Sequence, residues 1–474
     1  MSAGLRPYPE YRESGVAWLG SVPAHWEMKR CRYLFREVDA RSSTGTETHL
    51  SMSQQHGLVP RTQVEDHRLV SESYVGGKLC EPDDLVLNRL KAHLGVFARA
   101  SEPGLVSPDY TVLRRIGSTT MTPYFELVLR SPECRGELRT RTKGLVEGFW
   151  RLYTDDLYSV VLPCPPADEQ RAIVRYLDAA DRRIRRYVRA KQRLIALLEE
   201  QKRLVVHRAV TRGLDPDAPR KPSGVEWLGE VPAHWDVRKI GQCGMVVGGM
   251  TPSMDVREFW DGRVPWVTPK DMKRTPISDS IIRVTPAAIA QTSLRELPAP
   301  AVLLVVRGMV LARRVPVAWT DAPVTVNQDM KALLPVADVH AEFLARVVEV
   351  AQDPLALLID ESGHGTKRLP WERVRALPIP LPPRDEQVAI AEYVRTVTND
   401  AAGTRSVVER EVALLREYRT RLVADVVTGK LDVRAAAAQL SNDPGEPDAP
   451  PLDDPDTPDE DAAEDAPDLE PAEA

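Results

Sequence analysis

Few residues of this 474-residue chain stand in an order that could do chemistry, and none completes a catalytic set. Ser107-Pro108-Asp109-Tyr110 is one residue away from the tetrapeptide of amino-methyltransferases. It carries Asp where the second proline belongs, and no glycine-rich cofactor loop lies nearby. Asp271-Met272-Lys273 and Asp329-Met330-Lys331 offer half of a nuclease carboxylate–lysine pattern without an upstream paired acid, and read better as structural turns. Gly248-Gly249 lacks the strand–GxGxxG–helix setting that a nucleotide or cofactor needs. There is no phosphate-binding loop ending in Gly-Lys-Ser/Thr, and no HExxH or Cys/His spacing for a metal. The five cysteines (Cys31, Cys80, Cys134, Cys164 and Cys243) are scattered, so a reducing cytoplasm is expected rather than a disulfide framework. Together these gaps point to a binding chain with no catalytic residues, metal or cofactor of its own.

The elements that would position a binding site are announced by charge and by repetition. A net charge of −6 conceals two regimes. Residues 441–474 hold 14 Asp or Glu, eight Pro and no Lys or Arg, a composition expected to stay disordered. Such a tail would solubilise the chain or mimic DNA. The rest keeps 63 basic against 55 acidic residues, a mildly basic body compatible with nucleic acid. No signal peptide is expected, and arginines at 307, 313 and 314 break the most apolar run, Ala301 to Trp319, which suits buried strands.

Residues 14–26 read SGVAWLGSVPAHW, and residues 223–235 read SGVEWLGEVPAHW, 209 positions later. DEQRAI at 168–173 returns as DEQVAI at 385–390, 217 positions later, so eight extra residues enter between Trp235 and Gly365. Each DEQ opens a long helical stretch. In the first, Ile173, Leu177, Ala180, Ile184, Tyr187, Leu194, Leu198 and Val205 recur as the seam of a coiled coil, interrupted by Lys191 and Gln201. In the second, Ile390, Val394, Val397, Ala401, Thr404, Val408, Leu415, Tyr418 and Leu422 take the same places, with weak helix formers Asn399, Asp400 and Gly403 predicting a kink or fraying. Opposite charge balances favour pairing of the two stretches with each other. Between the repeated blocks, residues 27–147 and 236–364 share little sequence. Both read as mixed domains of short strands (85–87, 111–113, 264–267, 301–306, 324–326) with a few helices (123–130, 339–351). The four tryptophans of the repeated blocks (Trp18, Trp26, Trp227, Trp235) are expected to be core anchors.

The paired WLGxVPAHW blocks, the LPCPPADEQ and LPPRDEQ runs into long helices, and the closing TRGLD and TGKLD pieces resemble the specificity subunit of type I restriction–modification systems. GLVSPDYTVLRR, PWVTPKDMK and VNQDMKALLP also look like pieces of that family's target-recognition domains. The resemblance implies an α+β fold: two mixed α/β target-recognition domains joined by two long helices in an antiparallel intramolecular coiled coil, with a pseudo-two-fold internal repeat. The expected bounds are 14–167 and 216–384 for the recognition domains, 168–215 and 385–432 for the helices, and 441–474 for the tail. It further implies that each domain reads half of a bipartite double-stranded DNA site, the helices setting the spacer. Two methyltransferase subunits and restriction/translocase subunits would be the partners that hold the chemistry. The alternative is a duplicated scaffold that binds two protein partners without reading DNA. Candidate DNA contacts are Gln54, Arg61, Asn88, Arg89 and Lys91 in the first domain and Lys270, Lys273, Asn327, Gln328 and Lys367 in the second, chosen because amides and cations suit base edges and phosphates. Arg182, Arg183, Arg185, Arg186 and Arg189 on the first helix would form a solvated face, or a docking face for a methyltransferase subunit.

Overall fold

The computed structural model describes residues 5–53, 57–63, 74–144, 150–361 and 366–440. Two compact units divide the chain: residues 1–192 with 409–474, and residues 193–408. Each unit therefore contains one end of each long helix.

Unit 1 is organised on a four-stranded antiparallel sheet. Its strands are β1 (Phe35–Val38), β2 (Leu85–Asn88), β3 (Phe97–Arg99) and β4 (Tyr110–Arg115), in the order β1-β4-β2-β3. Strand β2 reads Leu-Val-Leu and is buried on both faces, which explains its unbroken apolar run. Leu85, Leu87 and Leu113 face a core with Phe35, Tyr124 and Phe125, the last two from the helix Thr122–Arg130. Val86 and Val112 face a second core with Leu50, Met52 and Leu58 of a hairpin.

Unit 2 repeats this sheet with β5 (Gly244–Gly248), β6 (Val302–Val305), β7 (Val317–Trp319) and β8 (Met330–Pro335), in the order β5-β8-β6-β7. The register is the same. Val38 pairs with Val112 and Asn88 with Tyr110, as Val247 pairs with Ala332 and Val305 with Met330. The duplication thus runs through regions whose sequences do not align. Phe35 answers to Gly244 (209 apart), Leu85 to Val302 (217) and Tyr110 to Met330 (220), so the eight extra residues enter between the first two strands. Three more fall in the turn after β6, and they are given back before Pro378, which again lies 217 after Val161.

The repeated blocks are tied together by side chains. In unit 1 the Glu169 carboxylate, 3% exposed, accepts from the Trp26 indole (2.9 Å) and from the Tyr8 hydroxyl, and meets His25 Nε2 at 2.8 Å. In unit 2 Glu386 meets His234 at 2.8 Å and accepts from the Trp235 indole at 3.1 Å. Gln170 and Gln387 are buried, and each donates at 2.8 Å to the carbonyl five residues before it, Pro165 and Pro382. Each also bonds a second loop, through Thr119 and Met121 or through Asp338 and His340. This explains why HW and DEQ recur as a pair: one grips the other.

The long helices run Ala167–Arg212 and Arg384–Val427. In unit 1 Ile173 and Leu177 share a core with Leu422 and Val426, Asp181 pairs with Arg419, and Lys191 with Glu411 (2.6 Å). Numbers rise on one helix as they fall on the other, so the pair is antiparallel. In unit 2 Glu199 pairs with Arg405 at 3.6 Å, and Val206, Ala209 and Val210 share a core with Ile390 and Val394. The seam departs from the heptad expectation. Tyr187 and Leu194 are exposed, while Val188 and Ile195 turn inward, and Val206 is buried rather than Val205. A straight helix drifts about 20° per heptad against a strict repeat, which over some four heptads approaches the 100° of one residue. Thr404 is exposed as well. The weak middle of the second helix does not interrupt it: Arg384–Val427 is one continuous helix, with Gly403 on its open side.

Candidate functional site

Most of the candidate residues lie near the ends of the sheets. In unit 1, β2 closes on Asn88, whose amide oxygen accepts from the backbone of Leu90 (3.1 Å) and Lys91 (3.3 Å), fixing the turn toward β3. Arg89 donates through Nε to the Asp109 carbonyl at 2.6 Å, with Asp109 Oδ1 3.7 Å from Nη2. The Arg89 carbonyl accepts from Leu152. Asn88, Arg89 and Lys91 are thus brought to the head of β4, where Ser107-Pro108-Asp109-Tyr110 sits. Behind them His93 packs on the Trp150 ring at 5.3 Å, and burial, with Arg139 and Arg135 nearby, holds its pKa below the ordinary value. Arg61 stands apart, after the hairpin, where it donates to the Tyr74 hydroxyl at 3.1 Å. Gln54 lies outside the described residues, as does the acidic tail.

In unit 2 a chain of backbone hydrogen bonds assembles the corresponding end. Asn327 N–H donates to Val267, Val306 N–H to Asp329, and Gly308 N–H to Lys367. Lys270, Asn327, Gln328 and Lys367 therefore belong to one end of the sheet, with Lys273 three residues beyond Lys270. Asn327 is buried, and its amide is used within its own turn, donating to Asp329 Oδ2 at 3.2 Å and accepting from Asp329 N–H at 3.2 Å. Gln328 is exposed and bonds Thr251; Lys270 and Lys273 are exposed; Lys367 pairs with Glu361 at 2.5 Å. The glycine pair has a steric role, since a Cβ on Gly249 would lie 1.8 Å from the Asn327 carbonyl. Asp271 accepts from Thr268 N–H, Thr268 Oγ1 and Ile281 N–H, each at 2.8 Å, which makes it a turn former as expected.

Val106–Leu113 and Val326–Leu333 occupy the same places in the two sheets, and both place an Asp before the strand. Asp109 N–H is held by the Ser107 hydroxyl and Asp329 N–H by the Asn327 amide. The offset of 220 between VSPDYTVL and VNQDMKAL was the signal available in the sequence. Sequence reasoning also passed over Arg307, Arg313 and Arg314, all exposed on the turn after β6 and matched in place to Arg89–Val96. Gly308 there has φ of +131°, and Met309 beside it is exposed. The site offers guanidinium, ammonium and amide donors, the groups that bind anions and base edges. Among the described residues no group of His, Cys, Asp and Glu could hold a metal ion. The cysteines are all buried, and burial pushes the Cys31 thiol up to about 12 and those of Cys80 and Cys243 to about 11, so they are poor nucleophiles. No helix among the described residues is long and apolar enough to cross a membrane.

Residues 232–407 match the family described as Type I restriction modification DNA specificity domain. A type I restriction enzyme specificity subunit of Escherichia coli is 30% identical over 183 residues, 38% of this chain and 43% of that protein. Another from Methanocaldococcus jannaschii is 34% identical over 168 residues, 35% of this chain and 38% of that protein. The matches thus span about two fifths of these relatives' lengths. Among solved structures, the HsdS subunit from Thermoanaerobacter tengcongensis shares the fold over 88% of this chain and 99% of its own, at 15% identity and a TM-score of 0.54. A chain from a structure on complex assembly and conformational transition of the type I R-M system covers 86% and 98%, at 15% identity and a TM-score of 0.66.

Proposed function

We propose that this chain is a specificity subunit of a type I restriction–modification system and reads DNA for such a complex, a reading supported by the family match over residues 232–407, by the curated relatives and by the shared fold. The observation that carries this reading is the pair of sheets in one register whose ends present different residues. Like frames with unlike ends suit an asymmetric, two-part DNA site, each recognition domain (14–167 and 216–384) reading one half. Arg61, Asn88, Arg89 and Lys91, with Gln54, serve the first half-site. Lys270, Lys273, Asn327, Gln328 and Lys367 serve the second, Asn327 by shaping the turn that presents Gln328. Arginines 307, 313 and 314 bind backbone phosphates. Methyltransferase subunits carry adenine methylation, restriction subunits carry ATP-driven cleavage, and the assembly works in the cytoplasm. The chain itself is not catalytic.

Mapping methylated adenines genome-wide with and without this gene tests the reading. A bipartite asymmetric motif that disappears with the gene is expected; an unchanged methylation pattern beside active methyltransferase subunits would refute it. Inserting one heptad in both long helices should lengthen the unspecified spacer and leave both half-sites intact. A scaffold that binds only proteins would instead give a complex whose DNA affinity does not respond to salt.

A further inference from the structure

We infer that the acidic segment 441–474 docks on the arginine face of the first long helix within unit 1 and screens that face from other polyanions. Three observations converge on this occupant. Leu440, the last described residue, lines a groove together with Tyr176, Ala180, Arg183, Tyr418 and Leu422, and its carbonyl accepts from Arg175 Nη2 at 2.5 Å. The described chain therefore ends beside this helix. Arg175, Arg182, Arg186 and Arg189 follow one another at steps of seven, four and three, which places them on one stripe. That stripe points away from the seam residues Ile173, Leu177 and Ile184, and Arg182 and Arg186 are exposed on it. The charges are complementary: the segment carries 14 acidic residues and no basic one, while residues 168–192 of the helix carry eight basic and four acidic side chains. Reach is ample, since the stripe from Arg175 to Arg189 is about 21 Å long at 1.5 Å per residue. The 34 residues could extend over about 110 Å.

The consequence is a built-in competitor. Any polyanion that approaches this face must displace a tethered one, whose effective concentration is high because Leu440, the residue before it, is held on Arg175. The test is a cycle of four chains: the full chain and one ending at Leu440, each with and without Arg182→Gln/Arg186→Gln. The probe is fluorescent heparin at low salt. Truncation should tighten heparin binding about tenfold or more through the freed guanidinium groups. In the truncated chain the two substitutions should remove most of that gain; in the full chain they should change binding less than twofold. A synthetic 441–474 peptide should displace heparin from the truncated chain and not from its substituted form. Equal effects of the substitutions in both backgrounds would show that the segment acts by net charge alone and would overturn the proposal. Unchanged heparin binding on truncation would overturn it as well.

Discussion

The two sheet ends solve one geometric problem with different chemistry. In unit 1 the turn after β2 is tied down: Asn88 caps it, and Arg89 is held against Asp109. In unit 2 the same register positions are Val305 and Val306, and the turn is three residues longer. It carries Arg307, Arg313 and Arg314, whose side chains show no hydrogen bond or ion pair among the described residues. A strand in the middle of a sheet is constrained on both faces by packing and along both edges by hydrogen bonds, so its place is kept even where its sequence drifts. A turn at the sheet end is constrained only by closure. The frame can be reused while the ends diverge, as the proposed reading of two different half-sites needs. The same contrast holds at the helix starts: Glu169 has three partners and is 3% exposed, whereas Glu386 has two and is 28% exposed.

The largest test of this contrast is Glu169→Ala against Glu386→Ala. Losing the buried carboxylate leaves Tyr8 and Trp26 donors unpaired and should cost about 3–5 kcal/mol, the range for a broken buried charge network. The half-exposed Glu386 should cost about 1–2 kcal/mol, as for ordinary hydrogen bonds. Urea titrations of both variants decide this, and equal losses would remove the distinction. Next is the triple change of Arg307, Arg313 and Arg314 to Gln. It should weaken binding of the assembled complex to all DNA sequences alike and reduce the salt slope by about 0.9 for each phosphate no longer neutralised. Arg89→Gln should instead disturb one half-site, because its guanidinium holds the turn; a uniform loss there would erase the proposed difference between the tied and untied turns. The smallest effect expected is from Gly403→Ala. Nothing lies within 4 Å of its would-be Cβ, so the helix should gain about 0.8–1 kcal/mol, seen as a modest rise in melting temperature.

The residue order alone settled the duplication, the two long helices and the recurrence of the HW and DEQ blocks, because each rests on local signals: helix periodicity and repeated words; that HW grips DEQ took the tertiary structure. The residue order located strands such as Leu85–Leu87 by their apolar runs. Beyond the short VSPDYTVL and VNQDMKAL pair, it did not supply the second repeat hidden inside the dissimilar regions. Backbone hydrogen bonds define the sheet register and are indifferent to side-chain identity, so Tyr110 and Met330 can hold one position without resembling each other. The seam slipped by one residue for a related reason. A heptad template is exact in sequence, but the direction of each side chain accumulates from the real helical pitch over the length of the helix. Which candidates meet was likewise decided in three dimensions. Lys270 and Lys367 are 97 residues apart in sequence, and only the hydrogen bonds Asn327–Val267, Val306–Asp329 and Gly308–Lys367 link their segments to the same end of the unit 2 sheet.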